Sequence, residues 1–313
     1  MPVFTNYNQF YSRRLIGLDT YFNEMIKLYD VKRFPKVLLL NGKKGIGKFT
    51  LIMHFLNYIF SKKDNLNYNT EDKIIDVNSN FYNSIINQNC ADVIFLQAIE
   101  GKNIKIDDVR NLKSTLSSSS LSTNSRFIII DEVEFLNTNS VNALLKTLEE
   151  PSKNNFFILI NNQQADLIAT ISSRCLQNKI YLNLNDRNKI VDHLIENRKI
   201  SLLINDDGIL TPGLLLAYNE LFVKYKIFPE DDIFLKVHKL LNAFKKDKDK
   251  TLIGLTVFLV DQFFYKLIKK NNSKIDFLLH LKLSIVYKIN DFIVYNLNIN
   301  SVLKSIEFKL KNV

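Results

Sequence analysis

The sequence predicts an α/β domain built on a parallel sheet, followed by an all-helical region. Three observations predict it. Short apolar runs of strand length alternate with helical periodicity through the first 184 residues, one run empties into a glycine-rich turn, and only helical patterning follows. With 313 residues the chain has room for two or three domains with buried cores. A composition of 46% hydrophobic and 24% charged residues is that of a soluble globular protein and excludes a disordered chain or a membrane bundle.

Val37, Leu38, Leu39 and Leu40 form a continuous apolar run, the pattern of a strand buried on both faces. The stretch Gly42-Lys43-Lys44-Gly45-Ile46-Gly47-Lys48 follows at once. Leu51, Ile52, Phe55, Leu56 and Ile59 then recur at helical spacing, so the unit reads strand, loop, helix. Residues 62–90 turn polar and are expected to form a loop or irregular excursion. Residues 91–96 and 126–130 are β-rich runs, separated by a helix over 107–116 and a serine-rich loop at 117–122. A helix carrying Ala143, Leu144, Leu145 and Leu148 precedes the run 156–160.

Beyond residue 184 the pattern is helical: one helix over 186–199, one around Leu214 to Tyr218 after Thr211-Pro212-Gly213, and long apolar helices over 252–270 and 275–295, separated by a turn at Asn271-Asn272-Ser273. No uninterrupted apolar run approaches the ~20 residues that cross a bilayer. No internal repeat is present, and the first ten residues lack the basic-then-apolar pattern of a secretory signal.

The net charge of +10 is unevenly placed: residues 221–313 carry 17 Lys and no Arg against nine acids, for +8. Such an excess either attracts nucleic acid or an anionic surface by its summed field, or forms a solvated Lys-rich face. Cys90 and Cys175 are 85 positions apart, which excludes a zinc knuckle and a disulfide framework and fits a reducing cytoplasm. His54, His193, His238 and His280 have no metal-ligand spacing.

Gly42, Gly45, Gly47 and Lys48 lie in a G-x-x-x-x-G-K pattern, in which backbone N–H groups wrap a phosphate and the lysine reaches it as a point charge. Its place between a buried strand and an amphipathic helix makes it a candidate nucleotide loop, with ATP and Mg²⁺ as the ligands the pattern calls for. The next position should carry a metal-binding hydroxyl, and here it is Phe49. Thr50, one helical step of ~100° further on, need not reach the same metal position. Phosphate binding is therefore expected without metal-assisted hydrolysis. Asp131 and Glu132 end the run 126–130, where one acid can hold Mg²⁺ through water and the other orient an attacking water; solvated carboxylates at a strand end are the alternative.

These motifs belong to a longer pattern: 130–137 (Ile-Asp-Glu-Val-Glu-Phe-Leu-Asn), 142–151 (Asn-Ala-Leu-Leu-Lys-Thr-Leu-Glu-Glu-Pro), 157–162 (Phe-Ile-Leu-Ile-Asn-Asn) and Ser172-Ser173-Arg174-Cys175. The pattern resembles the AAA+ ATPase module of bacterial DNA polymerase III clamp loaders. The C-terminal stretch from Tyr295 through Val302, Leu303, Ile306 and Leu310 is similar to the end of that family's helical collar. The resemblance implies an AAA+ P-loop domain over 1–184, a small helical lid over 185–222 and a helical collar for oligomerisation over 223–313. It implies a hetero-pentamer with gamma/tau and delta subunits that opens the sliding clamp and places it on primed DNA. Within that assembly Arg174 would act in trans on ATP held by a neighbour, as an arginine finger, and Asn161 would occupy the position of a γ-phosphate sensor or serve as a turn amide.

The chain departs from the family's ATP-hydrolysing subunits at Phe49, in lacking a four-cysteine zinc module, in having no Arg near Thr211-Pro212-Gly213, and in stopping at Val313. These departures point toward the delta-prime branch, whose own nucleotide site is commonly degenerate. Two other readings remain at this level: a self-sufficient ATPase in which Thr50 or a water replaces the missing ligand, and a basic nucleic-acid-binding module using Lys245, Lys246, Lys269 and Lys270.

Overall fold

The computed structural model describes residues 12–61, 68–87, 89–97, 104–118, 125–270 and 274–311. The chain divides into two compact units. The first runs through Ile200 and includes Gly208–Leu214; the second comprises Ser201–Asp207 and Leu215 onward. The segment 185–222, expected as a lid of its own, is thus shared between the two.

The first unit contains α1 (Asp19–Asp30), β1 (Val37–Asn41), α2 (Lys48–Ser61), α3 (Asn80–Ile86), β2 (Val93–Gln97), α4 (Ile106–Ser118), β3 (Arg126–Asp131), a 3-10 turn (Val133–Phe135), α5 (Thr138–Glu149), β4 (Asn155–Asn161), α6 (Ala169–Ser172), β5 (Leu176–Lys179) and α7 (Leu184–Arg198). The five strands pair in parallel in the order β2-β3-β4-β1-β5. Strands β1 and β4 run in register from Val37 opposite Phe157 to Asn41 opposite Asn161, which places both asparagines at one edge of the sheet.

Alternation along each strand sends side chains to two separate cores. Leu38, Leu40, Phe127, Ile129, Ile158 and Ile160 pack in one cluster with Phe22 and Met25 of α1 and Leu51, Ile52 and Phe55 of α2. Val37, Leu39, Ile128, Ile130, Phe157 and Leu159 pack in the other with Val109 and Leu112 of α4 and Val141, Leu144 and Leu148 of α5. A sheet covered on both faces needs apolar residues at every position, which is why β1, β3 and β4 read as unbroken runs.

Several elements of this unit lay outside the sequence expectation, the short α6 and the 3-10 turn among them. Helix α1 and the short edge strand β5 were not foreseen. Helix α3 lies in the stretch expected to be irregular: the Ser79 hydroxyl accepts the Tyr82 N–H at 3.1 Å as an N-cap, and Phe81, Tyr82 and Ile85 turn inward. The Phe81 ring stacks on Phe60 with centroids 4.6 Å apart, a tertiary contact that local polarity conceals. Most of the serine loop at 117–122 and the turn at Asn271-Asn272-Ser273 lie outside the described residues, as do the first ten residues.

Helix α8 (Pro212–Lys224) leads from the first unit into the second, which continues with α9 (Ile233–Asp247), α10 (Lys250–Lys270), α11 (Ile275–Val294) and α12 (Ile299–Lys311). Its core is built from Val237, Leu240 and Leu241 of α9, Leu252, Leu255, Val260 and Phe264 of α10, Ile285 and Ile289 of α11, and Val302 and Ile306 of α12. By length and composition α10, at 21 residues, is apolar enough to cross a membrane. The sequence reading counted only uninterrupted apolar runs and so passed over it; four of its residues form part of this helical core. The fold is α/β followed by all-α, as predicted.

Candidate functional site

Strand β1 ends at Asn41, and the chain turns through the glycine loop into α2, whose first residue is Lys48. Gly45 and Gly47 have φ of +82° and +97°, backbone that side chains rarely adopt. Gly42 is needed for space: a Cβ there would lie 2.6 Å from the carbonyl oxygen of Ile180. The Gly42 N–H donates to the Asn161 carbonyl at 3.2 Å, which ties the loop to the end of β4.

Lys48 is 3% exposed, and its ammonium donates to the carbonyls of Gly42 at 2.6 Å and Lys43 at 2.8 Å. Two of its three N–H groups thus hold the loop in shape, and the third is directed by that geometry. Burial lowers its pKa to about 8, against the opposing pull of Asp131 and Glu134, so it remains a cation at neutral pH.

Strand β3 delivers Asp131, and Glu132 follows with φ +56° and ψ +45°, a left-handed backbone that costs a residue of this type about 1–3 kcal/mol. The Glu132 carboxylate receives the Lys44 ammonium at 2.9 Å. Asp131 Oδ1 accepts the Glu132 N–H at 2.8 Å and the Asn162 side-chain amide at 3.0 Å. The Asn161 amide donates to Asn41 Oδ1 at 3.2 Å, and its oxygen accepts the Gln163 N–H at 2.9 Å. Gly42, Gly45, Gly47, Lys48, Asp131, Glu132 and Asn161 therefore meet at the carboxyl edge of the sheet, where doubly wound folds place their ligands.

Sequence reading missed two members. Glu134 is buried in the 3-10 turn, and its carboxylate accepts the Asn162 N–H at 3.0 Å and the Gln164 N–H at 3.4 Å. Burial raises its pKa despite those donors. Lys44 closes the loop onto Glu132 and also donates to Gln164 at 3.2 Å. A third acid two residues past the first pair, and a second lysine within the loop, were the available signals.

The far side of the loop is packed by the start of α8. The Thr211 hydroxyl donates to the Lys44 carbonyl at 2.6 Å, and the Gly213 N–H to the Gly45 carbonyl at 2.9 Å. A Cβ on Gly45 would meet Thr211 Oγ1 at 2.5 Å.

A phosphate fits this cradle of positive-φ glycines, helix N-terminus and buried ammonium. The loop carries no hydroxyl at the position directly after the lysine. The position after Lys48 holds Phe49, a buried ring 5.7 Å from Phe95, and Thr50 is nearly buried with no hydrogen bond joining it to the acids among the described residues. The acids themselves are engaged by the chain: Asp131 by two N–H donors, Glu132 by Lys44.

Arg174 belongs to a different corner of the same unit. It follows α6, and its Nε and one terminal nitrogen both reach Glu149 Oε1, at the end of α5, at 2.5 Å. The other terminal nitrogen donates to the Thr170 carbonyl at 2.8 Å and the Ser173 hydroxyl at 3.3 Å. The side chain is 31% exposed, and none of these partners belongs to the glycine loop. Cys175 turns inward, its thiol on the Ile171 carbonyl at 3.1 Å and its pKa pushed by burial to about 11. Among the described residues no group of His, Cys, Asp and Glu is arranged to hold a metal.

Residues 18–183 match the family described as DNA polymerase III, delta subunit. Among curated relatives, the DNA polymerase III subunit delta' of Buchnera aphidicola subsp. Baizongia pistaciae is 26% identical over 53% of this chain and 52% of its own length. The subunit delta' of Buchnera aphidicola subsp. Schizaphis graminum is 26% identical over 75% of this chain and 67% of its own length. The DNA polymerase III subunit tau of Bacillus subtilis is 31% identical over 46% of this chain and 24% of its own length. The chain thus spans about half the length of the first of these relatives and less of the third. The family match covers more than half of this sequence and takes in the glycine loop, the strand-end acids and Arg174, and by that match the chain belongs to the DNA polymerase III delta subunit family.

Proposed function

We propose that this chain acts as the delta-prime subunit of the cytoplasmic DNA polymerase III clamp loader, assembled with gamma/tau and delta subunits as a hetero-pentamer that places the sliding clamp on primed DNA. Its part is to support a neighbouring ATPase site by supplying Arg174 in trans, with little or no turnover of its own. The second, helical unit serves as the collar through which subunits assemble.

The observation that carries this reading is the contrast between Phe49 and Arg174. The metal-ligand position of the home loop is filled by a packed phenyl ring, while an arginine bound to no residue of that loop sits partly exposed. A guanidinium keeps its charge at every physiological pH and presents a planar donor fork that matches phosphate oxygens. Placed against a neighbour's nucleotide it would stabilise the charge that builds on the equatorial oxygens during transfer. Lys48 and the glycine loop, in turn, keep the sheet edge in the shape of a nucleotide domain without completing a hydrolytic site. Leu283 and Tyr287, one turn apart on α11, stand exposed in the second unit, as a surface covered by assembly would.

The test is reconstitution with gamma/tau and delta subunits. Arg174→Ala should lower clamp- and DNA-stimulated ATPase while the complex still assembles by size-exclusion chromatography. Unchanged turnover removes the trans role.

A further inference from the structure

We propose that Glu149 is the positioning residue for Arg174, fixing the guanidinium in the orientation from which it meets a neighbour's phosphate. The inference rests on the trans role of Arg174 and adds to it a residue with no contact to nucleotide.

An arginine side chain on a surface samples many rotamers, and restricting it before the phosphate arrives removes an entropic cost from the reacting complex. Arg174 is restricted from two sides. Glu149 Oε1 takes Nε and one terminal nitrogen at 2.5 Å, and the Thr170 carbonyl takes the other terminal nitrogen at 2.8 Å. Both anchors are rigidly placed: Glu149 is the last residue of α5, whose Leu144 and Leu148 are buried, and Thr170 lies in α6, whose Ile171 is fully buried. Of the five N–H groups of the guanidinium, these contacts and the Ser173 hydroxyl at 3.3 Å engage four and leave one on the outer edge.

The same contact could act instead as a latch that withholds the arginine. Magnitude decides between the two. Glu149 is 46% exposed and Arg174 31%, and an ion pair of that exposure shifts an equilibrium by at most about fivefold. That is too little to withhold a group from a multiply charged phosphate, but enough to bias its rotamers. The N–H left on the outer edge is the one that meets the phosphate while Nε stays on Glu149.

The experiment is a double-mutant cycle in the reconstituted loader with gamma/tau and delta subunits, reading kcat and KM of the clamp- and DNA-stimulated ATPase. Glu149→Ala is expected to lower kcat about two- to fivefold with KM for ATP unchanged, and Glu149→Gln, which keeps a neutral acceptor for Nε–H, to restore part of the loss. In an Arg174→Ala background Glu149→Ala should have no further effect. An equal loss in that background, or no loss in the Arg174 background, overturns the positioning role; a gain in kcat makes the contact a latch and overturns it as well. If Arg174→Ala itself leaves turnover unchanged, the trans role fails first, so the two failures are told apart. Thermal unfolding of the isolated chain separates a folding defect from the kinetic one: a Glu149→Ala loss of kcat at unchanged melting temperature supports positioning, and a loss that tracks a lowered melting temperature overturns it.

Discussion

The glycine loop and the Arg174 corner belong to one folded unit but handle charge in opposite ways. At the loop a buried lysine and buried acids are turned toward their own chain: Lys48 to two loop carbonyls, Glu132 to the part-exposed Lys44, Glu134 to two backbone N–H groups. At the other corner one cation is partly exposed and held by a single carboxylate. A buried network lets go only by leaving desolvated charges unpaired, which costs several kcal/mol, whereas an exposed ion pair is worth about 0–1 kcal/mol. The difference separates a region whose contacts hold its shape from one that keeps a group able to exchange partners.

The largest effect that would sharpen this contrast is expected at Arg174. In the reconstituted loader Arg174→Ala should reduce turnover at the neighbouring site by up to ~10³-fold, the range for loss of an arginine finger. The readout is single-turnover phosphate release, and a loss below twofold would break the comparison.

Next in size is a stability effect inside the unit. His54 of α2 is fully buried, with Nδ1 2.6 Å from the Tyr68 hydroxyl and Nε2 3.3 Å from the Ser12 carbonyl. Burial pushes its pKa down to about 4. A folded-state pKa below the unfolded value means the unfolded chain binds more protons between the two, so stability falls as pH drops from 6.5 toward 4, by ~3 kcal/mol for this group. Urea unfolding at pH 7 and pH 4.5 should reveal that loss, and His54→Gln, neutral throughout, should flatten it.

A smaller loss is expected at the loop. Gly45→Ala places a Cβ at φ +82° against Thr211 Oγ1 and the Leu214 backbone nitrogen, at 2.5 and 2.8 Å. It should destabilise the first unit by about 1–3 kcal/mol, visible as a lowered melting temperature. Unchanged melting would mean that this packing is not held in solution.

The smallest effect is an expected silence. The purified chain with ATP and Mg²⁺ should turn over at background, because Phe49 stands where a metal ligand is required. A rate above background that disappears in Lys48→Ala would show the two regions to be chemically alike.

Much of this was legible in the residues. Unbroken runs such as Val37 to Leu40 announce strands covered on both faces, and their alternation with helical spacing announces a parallel sheet, because burial demands apolar side chains at fixed periods. The glycine loop was legible because only glycine adopts its φ values without strain. Helix α3 was not, since its inward face is set by Phe60, a residue some twenty positions away. Glu134 and Glu149 were present in the motifs but silent: nothing in spacing says that one carboxylate is buried on backbone N–H groups and the other grips Arg174.

The sequence by itself determined most of the strands and helices, their order and the presence of Phe49 after the loop lysine, because periodicity and residue type act locally. Only the tertiary structure decided which charges meet. Lys44 finds Glu132 across 88 positions and Arg174 finds Glu149 across 25, and pairings over such separations follow from where the sheet and its helices set each chain segment, not from the residues that lie between.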